Sequence, residues 1–220
     1  MGQVTAEFIW RMEDILELYA QPYDPQRPVI GFDERPYQLR ANLRAPLPMA
    51  PGRVQRIDYE YERKGGCNLF MLFQPLRGWR HVEVTQQRTN QDFAHCMQAM
   101  VEDYFPDADV IRVVLDNLST HTPAALYQAL EPAEARRIAR KLEFHYTPKH
   151  GSWLNMTEIE LSVLERQCLR RRLGDIPTTQ REVAAWERTR NRANATVHWR
   201  FATEDARSKF KRLYPKNHCG

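Results

Sequence analysis

The sequence has 220 residues, of which 42% are hydrophobic, and a mean hydropathy of −0.66. This length fits one hydrophobic core better than two, and no apolar run is as long as a membrane span or a secretory signal segment. The composition therefore argues against a membrane protein, and we expect one soluble, intracellular domain with short additions.

The net charge of +4 is divided unevenly along the chain. Residues 1–135 carry 13 Lys and Arg against 19 Asp and Glu, a balance of −6, whereas residues 136–220 carry 19 against 9, a balance of +10. The second part is a candidate surface for a polyanion such as nucleic acid, although Arg-rich helices also present faces that are simply solvated. The four cysteines form no Cys-x-x-Cys pair, which argues against a zinc site.

The first half of the chain predicts one helix, one short strand and an antiparallel meander. In chain order, these are helix 6–19, strand 29–32 and meander strands 54–62, 67–73 and 81–85. Asp33 and Glu34 close the short strand, and Pro36, with three later prolines, predicts an irregular stretch after it. Gly65 and Gly66 predict a turn within the meander.

The second half alternates between helices and strands. The predicted elements are helix 89–104, strand 110–115, helix 123–141, strand 142–146 and helices 155–172, 179–195 and 203–213. A meander followed by alternating helices and strands predicts an α/β protein with a mixed sheet flanked by helices. Although six strand segments are delimited, this order matches the ribonuclease H-like fold, so we expect a mixed five-stranded sheet.

Three acidic residues lie where elements begin or end. Asp33 and Asp116 each follow an apolar strand, and Glu158 lies in the first turn of a predicted helix. Carboxylates at such positions suit Mg²⁺, and phosphoryl transfer on DNA uses two such ions. Each acid also has a plainer interpretation: Asp33 as a turn residue, Asp116 in an Asx-turn and Glu158 in an N-cap box begun by Asn155.

Two neighbouring acids, Glu34 and Glu160, compete with this set. Along a strand Glu34 faces the side opposite to Asp33, and two residues of helix rotate Glu160 by about 200° from Glu158. Only one member of each pair can join the cluster.

Three segments resemble a known family. FDERPYQL at residues 32–39, DNLSTH at 116–121 and HYTPKHGSWLNMTEIE at 145–160 resemble bacterial transposases of the insertion sequence 630 group, in the mariner superfamily. The resemblance covers nearly the whole chain. It implies a DDE catalytic domain with basic C-terminal helices over residues 26–220. Residues 1–25 are expected to form a connecting helix, with the upstream helix-turn-helix region of the family absent, as in a truncated or decayed copy.

The resemblance also implies the chemistry. Asp33 and Asp116 correspond to the two family aspartates and Glu158 to the family glutamate, so the three are expected to hold two Mg²⁺ ions, with Mn²⁺ as a substitute. The implied reaction is strand cleavage at transposon ends and transfer of the 3′-hydroxyl into target DNA at a TA dinucleotide. The family resemblance also implies that the protein is a homodimer that acts at the nucleoid in the bacterial cytoplasm.

Further residues are expected to support these three. Asn117 and His121 are expected to orient Asp116 or to touch DNA, and Asn155 to shape the start of the helix that carries Glu158. A helix-capping or solvated role is the alternative for His121. The residues expected to contact DNA are Lys149, Arg166, Arg170, Arg171 and Arg172. Two rival functions remain open: a nuclease or resolvase of the same fold, and a DNA-binding remnant without transposition activity.

Overall fold

The computed structural model describes residues 5–44, 49–53 and 59–214. The strands are β1 (Val29–Asn42), β2 (Tyr61–Gln74), β3 (Trp79–Thr85), β4 (Ile111–Leu115) and β5 (Leu142–Tyr146). The helices are α1 (Ala6–Ala20), α2 (Asn90–Ala99), α3 (Ala124–Ala129), α4 (Pro132–Arg140), α5 (Thr157–Leu164), α6 (Ile176–Arg192) and α7 (Thr203–Lys209). None of the helices in the described ranges is long and apolar enough to cross a membrane.

The five strands form one mixed sheet in the order β3-β2-β1-β4-β5. The first three strands are antiparallel neighbours, and β4 and β5 are parallel to β1. The predicted five-stranded mixed sheet with flanking helices is therefore confirmed.

Alternate residues of β2 serve two apolar cores, one on each face of the sheet. Phe70 and Leu72 pack with α2, α3 and α4, whereas Leu69, Met71 and Phe73 pack with α5 and α6. Because side chains of a strand alternate between faces, a central strand covered on both sides is apolar throughout. A third cluster joins α1 to α7.

The first strand is much longer than its apolar run, and the predicted end at residue 32 is wrong. β1 continues through Asp33 and Pro36 to Asn42, pairing with β2 along this length. It pairs with β4 only from Val29 to Gly31. Beyond that point no strand pairs with this edge of β1 in the described residues, so a proline there removes no hydrogen bond of the sheet.

The turn predicted at Gly65 and Gly66 is also wrong, since both residues lie within β2. Between Gln38 and Arg40 the register with β2 shifts by one residue, and Gly65 has a φ of +86°. Glycine accommodates the extra residue of such a bulge because it tolerates positive φ. Residues 54–58 of the predicted strand 54–62, and the prolines at 46 and 48, lie outside the described residues.

The predicted helices are found with adjusted bounds. Thr89 caps α2 through a capping box with Asp92. The single helix predicted over residues 123–141 is two helices, because Leu130 is extended and Pro132 begins α4. α5 begins at Thr157, two residues later than predicted.

Candidate active site

The parallel pairing of β1 with β4 brings two carboxylates to one edge of the sheet. Gly31 pairs with Val114, and continuing that register by two residues sets Asp33 beside Asp116. Neighbouring strands are about 4.8 Å apart, so we expect the side chains of Asp33 and Asp116 to lie close together at this edge. Asp33 is half-buried, and the Asp116 side chain is 37% exposed.

The start of α5 supplies the third carboxylate, Glu158, which is exposed on the first helical turn. Asn155 ties this turn to β1. Its Nδ2 donates to the Phe32 carbonyl oxygen at 2.8 Å and lies 3.5 Å from Asp33 Oδ2, while its Oδ1 accepts from the Thr157 amide at 3.1 Å. The buried Asn155 amide therefore fixes where Glu158 lies relative to Asp33.

The electrostatics of Asp33 show that the three carboxylates lie close together. Burial, opposed by a hydrogen bond from the Glu34 amide, raises the pKa of Asp33, and the charges of Glu158 and Asp116 raise it further, to about 7. Within the described residues no Lys or Arg forms an ion pair with Asp33. The charge of the nearby His121 ring lowers the pKa of Asp33, but it is outweighed, so the site holds an excess of negative charge.

This donor set fits a divalent metal. Carboxylate oxygens are the ligands that Mg²⁺ prefers, and a bound cation would balance the charge that raises the pKa of Asp33. In the part of the chain that the structure describes, no group of three or more Asp, Glu, His or Cys side chains is placed so that it could hold a metal ion without other ligands. Mg²⁺ keeps several waters and substrate oxygens when bound in such sites, so it does not require a cage made of protein alone.

His121 is buried between two acids rather than solvated. Its Nδ1 lies 2.5 Å from Asp116 Oδ1, and its Nε2 lies 3.6 Å from Glu34 Oε2. Burial alone would lower the pKa of His121, but Asp116 and Glu34 together outweigh burial and raise it to about 9. The ring also packs against Phe32 and Phe93. His121 therefore holds the Asp116 side chain in one orientation.

The two competing acids have other partners. Glu34 faces away from Asp33, as strand alternation requires, and its buried carboxylate pairs with Arg88 at 2.6 Å. Glu160 is fully buried, accepts two 2.9 Å hydrogen bonds from Arg190 and lies 3.1 Å from Arg80 Nε. Both acids are neutralised by arginine, in contrast to Asp33.

Sequence reasoning did not identify Gly31 and Arg88 as parts of the site. A Cβ on Gly31 would overlap Thr157 Oγ1 and would lie 3.1 Å from Asn155 Oδ1, so only glycine allows the start of α5 to approach β1. A glycine inside an apolar strand is a usable signal for close approach. Arg88 gave no such signal, because its ion pair to Glu34 depends on the tertiary fold.

The residues expected to bind DNA fall into two regions. Lys149 lines a cleft together with Asp116 and the exposed Asn117. Arg166 lies in the π-helical turn Glu165–Leu169 that follows α5, and Arg170, Arg171 and Arg172 come directly after this turn, with Arg170 on the order of 15 Å along the helical axis from Glu158. Arg171 pairs with Glu182, and Arg172 donates to Asn42 and to the carbonyl oxygens of residues 59 and 60. These two arginines thus have contacts within the chain.

Comparisons with known proteins agree with this geometry. A family model described as DDE superfamily endonuclease matches residues 28–180. Among solved structures, the Mos1 mariner paired end complex with Mn is similar with a TM-score of 0.57 at 12% identity, over 96% of this chain and 63% of that chain. The Mos1 strand transfer complex gives 0.58 at 9% identity, over 96% and 62%. No curated protein matches the sequence.

The likeness to Mos1 confirms the ribonuclease H-like fold. At such low identity it is a likeness of fold alone. The chain spans less than two thirds of the Mos1 chain.

Proposed function

Because the chain belongs to the DDE superfamily endonucleases, we propose that it is the catalytic domain of a DNA transposase. Its three motif segments resemble the insertion sequence 630 group of the mariner superfamily, and its fold is that of Mos1. One observation carries the proposal. The three acids that the motifs single out come from β1, from the residue after β4 and from the start of α5, and these segments are held together by the pairing of β1 with β4 and by the hydrogen bonds of Asn155.

In this proposal Asp33, Asp116 and Glu158 hold two Mg²⁺ ions, for which Mn²⁺ can substitute. Bound ions activate an attacking oxygen and stabilise charge on the leaving oxygen. The half-buried carboxylate of Asp33 supports this assignment, because no Lys or Arg among the described residues forms an ion pair with it.

Neighbouring side chains position these ligands. His121 orients Asp116 through its Nδ1, and Glu34 with Arg88 holds the opposite side of the ring. Asn155 sets the start of α5 against β1. Side chains that orient metal ligands in this way commonly change metal affinity or activity by about 10- to 100-fold when they are replaced.

The proposed reaction consists of two phosphoryl transfers. In the first, a water oxygen attacks the scissile phosphorus, the bond to the 3′-oxygen breaks, and that oxygen takes up a proton to become a 3′-hydroxyl. In the second, this hydroxyl attacks a phosphorus of the target strand, and the 3′-oxygen of the target leaves and is protonated. The second step exchanges one phosphodiester bond for another and needs no external energy source.

The family resemblance also supports finer assignments. We propose TA as the target dinucleotide, transposon ends and target DNA as partners, a homodimer as the active assembly, and action at the nucleoid in the bacterial cytoplasm. Paired-end and strand-transfer complexes are known for Mos1.

A strand-transfer assay tests the proposal. The protein is incubated with Mg²⁺, a short duplex that ends in a free 3′-hydroxyl, and a supercoiled plasmid, and the junctions are sequenced. Covalent joining of the duplex to the plasmid at TA is the expected result. Nicking without joining would indicate a nuclease or resolvase, and absence of both would indicate a DNA-binding remnant.

A further inference from the structure

An open cleft of about 1940 Å³ lies between α1 and the residues that follow α7. The loops after β4 and β5 form the rest of its wall, and they bring Asp116 and Lys149 to its surface. Lys211 and Arg212 lie on the opposite side, after the end of α7. We refer to this space as the α1–α7 cleft.

The cleft contains cations that the rest of the described chain does not neutralise. Lys149, Lys211 and Arg212 are all exposed, and no ion pair joins them to an acid within the described ranges. Arg11 also lines the cleft, but Glu7 pairs with it at 2.8 Å. Lys209, at the end of α7, is likewise exposed and has no ion pair with an acid in the described ranges, so four such cations line a cleft whose wall contains Asp116.

We propose that the α1–α7 cleft binds the phosphate backbone of the DNA strand that approaches Asp116, with Lys149 on one side and Lys211 and Arg212 on the other. This inference rests on the proposed function. Lys and Arg side chains of this kind bind phosphate oxygens, and they position a strand without reading its sequence. The position of Asp116 in the wall directs a bound strand towards the three carboxylates.

The cleft is a better path than the segment after α5, where arginines are also concentrated. The arginines at residues 170–172 lie on the order of 15 Å along the helical axis from Glu158. Two of these arginines, Arg171 and Arg172, already have partners in the chain, including Glu182. The cationic side chains of the cleft, in contrast, line the same space as Asp116.

Binding across a salt series tests the proposal, with a labelled duplex of arbitrary sequence as the probe. Lys211→Ala/Arg212→Ala removes two cleft cations, and Lys149→Ala removes one from the opposite wall. Arg181→Ala/Arg188→Ala removes two exposed cations of α6 as a matched control. All these side chains are exposed, and circular dichroism checks that each variant is folded.

We expect the Lys211/Arg212 variant to bind DNA roughly tenfold more weakly at low salt. The slope of the logarithm of the binding constant against the logarithm of salt concentration (the salt slope) should fall by about two, because each substitution leaves one phosphate without a neutralising cation. Lys149→Ala should lower the slope by about one, and the α6 variant should match the wild type. If the wild type binds DNA in a salt-dependent way and both cleft variants bind equally well, the α1–α7 cleft is not the DNA path. That result would leave the proposed function in place. A wild type that neither binds DNA nor joins strands with Mg²⁺ would overturn the proposed function as well.

Discussion

Asp33 and Asp116 lie two residues beyond Gly31 and Val114, which form the last pair between the parallel strands β1 and β4. The first carboxylate is half-buried and the second reaches the buried His121. The sheet therefore fixes the separation of these two acids before any ligand binds.

Asp116→Asn is expected to abolish Mg²⁺-dependent strand cleavage while the protein stays folded. The change removes ligand charge and keeps volume, and loss of about 4 kcal/mol of transition-state stabilisation lowers the rate about a thousandfold. Plasmid nicking and a thermal melt measure the two effects. Asp107→Asn, at an exposed position before β4, is the matched control. Wild-type cleavage by the Asp116 variant would rule out a role for this carboxylate in metal binding.

Glu158 and Glu160 are two residues apart and should respond in opposite ways to the same substitution. Glu158→Gln is expected to stop cleavage with little change in stability, because the side chain is exposed. Glu160→Gln should lower the free energy of unfolding by about 3–5 kcal/mol, because it leaves the buried Arg80 and the half-buried Arg190 without their counter-charge. Urea denaturation measures the stability of each variant, and plasmid nicking measures its cleavage activity. A stable, inactive Glu160 variant would reverse the assignment.

Gly31→Ala tests the approach of α5 to β1. The added methyl would overlap Thr157 Oγ1, so we expect a loss of about 1–3 kcal/mol of stability and weaker cleavage. Thr157→Ala in the same chain should restore most of that stability, since it removes the overlapping atom. Gly174→Ala is a control, because a Cβ there meets Ala41 at an ordinary 3.5 Å. Equal effects of the two glycine variants would contradict the close approach.

His81 predicts a specific dependence of stability on pH. Burial would lower its pKa, but Glu187 at 3.4 Å and Glu83 at 3.5 Å raise the pKa to about 9. Because the folded pKa exceeds the unfolded value of 6.5, this stabilisation is complete below pH 6.5 and is lost as pH rises to 9. The loss is on the order of 2 kcal/mol.

His81→Gln should flatten this fall when urea midpoints are compared between pH 6.5 and 9. His95→Gln, at an exposed position of α2, should leave the fall in place. The comparison between variants cancels the contributions of other groups, among them His121. Identical slopes for wild type and His81→Gln would show that Glu187 and Glu83 do not stabilise the charged ring.

Local patterns predicted the elements whose structure depends on nearby residues. The helix predicted from residue 89, with Thr89 or Asn90 as its cap, corresponds to α2, and the apolar run before Asp116 predicted β4. The continuation of β1 through Pro36 could not be predicted, because it depends on which edge of the strand pairs. The partners of Glu34 could not be predicted either, since Arg88 and His121 come from distant segments.

The central claim is that Asp33, Asp116 and Glu158 together hold the catalytic metal ions. This metal site is tested by anomalous diffraction from crystals of the protein with a short DNA duplex, soaked in Mn²⁺. We predict two peaks about 4 Å apart between these three carboxylates, and their loss in the Asp116→Asn variant. Mn²⁺ peaks that avoid all three side chains, or that persist unchanged in that variant, would contradict the claim.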